Sequence, residues 1–195
     1  QDLVACLFQR EDTLLDAAAV LSLSVADVTE AERMLRTLVN TASADEGRKT
    51  PRITFGYTVN KAYLVYRLPQ TTLFKQLTSF VEATLDVYAA FYDGRLLLAP
   101  DENALSQYIR QLDKGEVLNG VMAYQAGMDH LSDSYHFMLM ADFDHIFRQS
   151  ENHVRFVPDF FLRNADFFHN FTLFVQFACT DGVVYPNIVL KYKSE

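Results

Sequence analysis

The chain has 195 residues, half of them hydrophobic and 22% charged, with a formal net charge of −8. That length and composition can bury a core without disulfide staples. The acidic balance and the lack of any basic run exclude nucleic-acid binding and electrostatic docking on anionic membranes, which both need clustered Lys and Arg, and no stretch approaches 18 uninterrupted apolar residues, so direct membrane insertion by a helix is not expected.

The chain opens at Gln1, without a signal-peptide pattern, and runs at once into strand-like sequence. This predicts a fragment of a longer chain, with an upstream part removed. "DLVACLFQR" and "TLLDAAAVLSLSV" read as two strands, although the Ala-rich part of the second also suits a helix. In the next segment Ser24 and Asp27 form a capping-box-like pair, and Val28, Ala31, Leu35, Leu38 and Val39 recur at helical spacing. A polar loop over 43–51 follows, ended by Pro51.

"RITFGYTVNKAYLVYRLP" alternates as a hairpin turning near Asn60 and Lys61, and "TTLFKQLTSFVEAT" reads as a short helix or broken connection. "LDVYAAFYDGRLLLAP" is a stronger hairpin, because Asp93-Gly94 supplies the two positive-φ positions of a type I′ turn. Asp101 then caps a helix with a Leu105, Tyr108, Ile109 and Leu112 stripe, stopped by Gly115.

A looser helix is expected in "VLNGVMAYQAGMDHL", a strand in "SYHFMLMA", and a short helix in "DFDHIFRQS" with Phe143, Ile146 and Phe147 inward. "PDFFLRNADFFHN" carries Asp-Phe-Phe twice, at 159–161 and 166–168, which places both Phe pairs roughly on one helical face. The chain closes with a second Asp-Gly hairpin at 181–182. Pro186 removes a ladder donor, so its arm is predicted to be an edge strand or bulged.

Hairpins with interspersed helices predict an α+β fold, an antiparallel sheet with the helices near 26–44 and 101–113 packed on one face. We expect a single domain over 1–195, with possible sub-units 1–85 and 86–195. "LSVADVTEAERMLRTL" and "LAPDENALSQYIRQL" echo each other, as a duplicated strand-to-helix unit would.

The unit "VYAAFYDGRLLLAPDENALSQYI" (87–109) and the C-terminal "FFHNFTLFVQFACTDGVVYPNIVLKYK" (167–193) together resemble an uncharacterised family of envelope proteins from Bacteroides-type bacteria, a domain of unknown function often found in lipoproteins or membrane-anchored chains. The resemblance implies a periplasmic or surface-exposed location, anchored by an upstream segment. It brings no catalytic residue.

Chemical motifs are sparse. His130, His136, His145, His153 and His169 lie in the last third, but none of their spacings gives the close pair typical of zinc sites. Asp142 and His145 can share a helical face and are the candidate metal pair; the competing reading makes Asp142 a helix cap and His145 a solvent-facing residue. Cys6 and Cys179 fit no CxxC or zinc spacing and are expected to be free thiols. Carboxylate pairs such as Asp101/Glu102 and Asp12/Asp16 are ordinary turn and cap residues, and neither a nucleophile elbow nor a phosphate-binding glycine loop is present. "NFT" at 170–172 and "DTL" at 12–14 match short glycosylation patterns.

The reading is therefore a non-enzymatic domain of a larger bacterial envelope protein, working by protein contacts or as a scaffold and needing no cofactor. A small-ligand or metal-binding domain in the aromatic- and His-rich C-terminal third is the alternative, and a hydrolase the third choice. The expected partner is another protein, or the upstream part of the same chain, laid against an exposed strand edge at 183–192.

Overall fold

The computed structural model describes residues 2–11, 17–46, 53–59, 61–69, 72–77, 86–116, 118, 121–148 and 157–193. They form two compact units, Gln1–Gly115 and Glu116–Glu195. The division falls after Gly115 and not at 85/86, because the hairpin that starts at Asp86 pairs into the first sheet.

The first unit is built on six strands: β1 (Leu3–Gln9), β2 (Ala17–Ser24), β3 (Ile53–Tyr57), β4 (Ala62–Pro69), β5 (Asp86–Tyr92) and β6 (Arg95–Ala99). Their order is β1-β2-β6-β5-β4-β3, antiparallel throughout. The Ala-rich segment is strand, not helix. The β5–β6 turn has the expected geometry, with φ of 48° at Asp93 and 75° at Gly94. Thr58 and Lys61 close the β3–β4 turn, the Thr58 N–H donating to the Lys61 carbonyl at 2.8 Å; Asn60 lies outside the described residues.

Three helices accompany this sheet: α1 (Val28–Glu46), α2 (Thr72–Leu77) and α3 (Glu102–Asp113). Side chains alternate between faces along a strand. Val65, Ala90, Leu97 and Ala99 point to one face and pack with Leu105 and Ile109 of α3. Tyr66, Leu68 and Ala89 point to the other and pack with Leu35 and Val39 of α1; Leu21 and Val87 share that second face with Phe74 of α2. The helices at 26–44 and 101–113 therefore cover opposite faces, not one. The cause is the apolar strands between them: Ala17 to Leu21 are all buried, so both sides of β2 need cover. The two strand-to-helix units also differ as a result. A two-fold axis normal to the sheet would have kept both helices on the same face.

Local capping follows the sequence in part. Asp101 accepts from the Ala104 N–H at 2.9 Å and pairs with Arg10 at 2.7 Å. Gly115 ends α3 with φ 72°. Asp27 caps α1 by accepting from the Glu30 N–H at 3.0 Å, but Ser24 takes no part. It belongs to β2, where its hydroxyl accepts from the Asp2 N–H at 2.8 Å. Helix α1 also continues through 43–46, where a loop is predicted; residues 47–52 lie outside the described set.

The second unit contains α4 (Met122–Met128), β7 (Phe137–Asp142), α5 (Phe143–Phe147), α6 (Asp159–Arg163), α7 (Ala165–Phe168), β8 (Phe171–Thr180) and β9 (Val183–Tyr192). Its three-stranded antiparallel sheet has the order β7-β8-β9. The β8–β9 turn has φ of 53° at Asp181 and 78° at Gly182. Strand β9 is an edge, as Pro186 predicts.

The Asp-Phe-Phe repeats form two short helices broken at Asn164, whose side-chain amide donates to the Phe160 carbonyl at 2.7 Å. Neighbouring helical residues sit about 100° apart, so each Phe pair splits. Phe161 and Phe168 meet at 4.9 Å between ring centroids and join buried Phe143, whereas Phe160 and Phe167 are exposed.

One face of this sheet is covered over the middle of β8, while Val183 and Tyr185 at the turn end of that face stay exposed. Thr172, Phe174 and Gln176 of β8 are buried on it. The Tyr124 ring of α4 lies 6.3 Å from that of Phe174, and Gly127 lets the helix approach so closely that an added Cβ would collide with Phe174. Gln176 pins the preceding loop: it accepts from the Ser132 N–H at 2.9 Å and donates to the Ser132 carbonyl at 2.7 Å.

Candidate functional site

The opposite face of the second sheet carries the most unusual chemistry among the described residues. Strand alternation decides its membership. From β8 come Phe171, Leu173, Val175, Phe177 and Cys179. Register places Phe137, Leu139 and Ala141 of β7 beside them on one side. On the other side lie Val184, Pro186, Ile188, Leu190 and Tyr192 of β9. None of these residues is charged. Phe171, Leu173, Val175 and Ala141 are half-buried, whereas the outer strands are open, with exposures of 69% for Ile188, 58% for Val184 and Tyr192, and 52% for Phe137.

Cross-strand aromatic pairs stiffen the face, Phe137 with Phe177 at 5.8 Å and Phe171 with Tyr192 at 5.3 Å. Exposed Phe167 extends it at one end, 5.1 Å from Phe171. The polar residues of the same strands point the other way. Asp142, Thr172 and Lys191 are register partners on the covered face, where Asp142 also pairs with Lys193 at 2.7 Å.

Of the Asp142 and His145 pair, the carboxylate is engaged elsewhere. Asp142 caps α5, accepting from the Asp144 N–H at 3.0 Å, and its other partner is Lys193; His145 is exposed. His130, His136 and His169 are exposed as well, and His153 lies outside the described residues. Among the described residues no group of three or more His, Cys, Asp or Glu comes together around a common point.

Both cysteines are free thiols. Cys6 is half-buried, and burial pushes its thiol pKa up, away from the reactive thiolate. Asp101 is occupied by its cap and ion pair, while Asp12 and Asp16 lie outside the described residues, as does the 12–14 glycosylation pattern. In the 170–172 pattern Thr172 is buried, which closes that site in the folded chain. No helix among the described residues is long and apolar enough to cross a membrane.

The perturbed groups of the first unit act as anchors. The Tyr66 hydroxyl donates to Glu32 at 2.6 Å and accepts from Arg36 at 3.2 Å; burial, then the bond to Glu32, pushes its pKa up to about 12. Tyr92 is pushed up to about 12 by burial and by its 2.7 Å bond to Asp113. Each ties a helix to the sheet. A cleft lined by Asp2, Leu3, Leu23, Ser24 and Leu96 has a volume of about 290 Å³ and lies open to solvent. It falls below the ~300–1,000 Å³ of ordinary ligand pockets.

Compared with protein-family models, with curated proteins and with solved structures, the chain gives no match to any.

Sequence reasoning misses the open face because it assumes that the polar row of an amphipathic strand faces water. In β8 that row, Thr172 and Gln176, faces inward. The available signal is β9, where Val184, Ile188, Leu190 and Tyr192 share one side while Asn187 and Lys191 share the other.

Proposed function

We propose that the chain is a non-enzymatic binding domain that works through protein contacts, with the uncovered face of the second sheet as its working surface. The observation that carries the reading is the uncharged, solvent-facing apolar array on β7, β8 and β9. Its most exposed side chains present on the order of 750 Å² to water, beyond the few hundred Å² tolerated on a monomer without a purpose. The depletion of charge matches the centre of a protein interface. The setting in a bacterial envelope protein belongs to the same proposal; its support is the resemblance of 87–109 and 167–193, and fractionation of the native cells tests it.

Binding of an apolar fluorescent dye to the dilute chain tests the surface. The intact chain should bind the dye, and Ile188→Asp or Leu139→Asp should abolish binding without lowering the melting temperature. No dye binding by the intact chain at any concentration, with Cys179 closed to alkylation, would sink the reading.

A further inference from the structure

Resting on that reading, we propose that the occupant of the face is a second copy of this chain, the two three-stranded sheets packing face to face about a two-fold axis. The exposed apolar area, on the order of 750 Å², is close to the ~800 Å² per partner of a standard stable interface. Exposed sheet faces pair with other sheet faces at about 10 Å, side chains interdigitating across the gap. The exposed rings and branched chains of Phe137, Leu139, Ile188 and Tyr192 supply both halves of such a layer.

Charge favours self-pairing. Each chain carries a net charge of −8, so most surfaces of two copies repel. Among the described residues this face holds no charged side chain, because Asp142 and Lys191 project to the other side of the sheet. Two copies can therefore meet here without bringing like charges together. A two-fold arrangement also closes, so one patch binding itself gives a dimer and not a fibre.

Sedimentation velocity of the whole chain, from sub-micromolar to about 100 μM, tests the proposal. The intact chain should pass from monomer to dimer over that range. Ile188→Asp and Leu139→Asp should each weaken association about 100-fold or more, with unchanged circular dichroism and melting temperature. Tyr185→Ser, on β9 but on the other side of the strand, should leave association unchanged. Alkylation of Cys179, which lies on the face, should slow as concentration rises in the intact chain and not in Ile188→Asp.

A chain monomeric throughout, or a dimer that Ile188→Asp and Leu139→Asp leave intact, would overturn the proposal. In the monomeric case the dye separates the two readings. Binding that depends on Ile188 would reject the second copy and keep a different partner; no binding would reject both.

Discussion

The six-stranded sheet of the first unit has helices on both faces, whereas among the described residues the three-stranded sheet of the second has cover on one. Both are antiparallel and both are joined by Asp-Gly turns of the same geometry. They differ in where their polar residues point. In the first sheet, buried Tyr66 and Tyr92 reach carboxylates on helices of opposite faces and so fasten cover to each side. In the second, the hydrogen-bonding residue Gln176 faces the loop it pins, while on the remaining face the Tyr192 hydroxyl has no described helix to fasten. Such an apolar face is not a defect of stability if its cover comes from another molecule.

If this contrast is right, substitutions should separate the two sheets. The largest loss is expected from Leu97→Ala in the first sheet, about 2–5 kcal/mol by chemical denaturation, since it opens a cavity in a core closed on both sides. Gly127→Ala should cost about 1–3 kcal/mol by forcing α4 off Phe174, and Phe174→Leu in the same chain should recover part of it. Tyr66→Phe should cost about 1–2 kcal/mol, because Glu32 and Arg36 lose their shared partner.

The tyrosines also predict an alkaline limit. Their folded pKa values lie above the ordinary 10.0, so the folded state holds these protons more tightly than the unfolded state. That contribution is complete below pH 10 and is lost as pH rises through about 12. Denaturation midpoints should fall over that window, and less so in Tyr66→Phe. The smallest effect belongs to Thr172→Val. The Thr172 hydroxyl is buried with no hydrogen-bond partner among the described residues, so removing it should leave stability within about 0.5 kcal/mol of the parent or raise it slightly.

The sequence makes the elements legible and their cover much less so. Asp93-Gly94 and Asp181-Gly182 announce their turns because the backbone there needs positive φ. Asp101 and Gly115 bound α3 by local hydrogen bonding and local geometry. Pro186 marks an edge by what it cannot donate. Which face a helix covers is decided by residues distant in the chain. The run Ala17–Leu21 does hint at burial on both sides, since it is apolar at every position. The candidate Asp142–His145 pair shows the opposite case: its spacing permits a shared face, but Lys193, far along the chain, claims the carboxylate. The open face is hidden by the same assumption that finds most cores, namely that the apolar row of a strand turns inward.

Side-chain footprinting of the intact chain across a dilution series tests the central claim most directly, because it reads each face of each sheet separately. At the lowest concentration Ile188, Tyr192, Leu139 and Phe137 should label readily, while Leu97, Ile109 and Phe174 should not. Labelling of the first group should fall as concentration rises. If Ile188 and Tyr192 were instead as protected as Leu97 at every dilution, the face would be covered from within the chain, and the account of it as a surface for another molecule would be wrong.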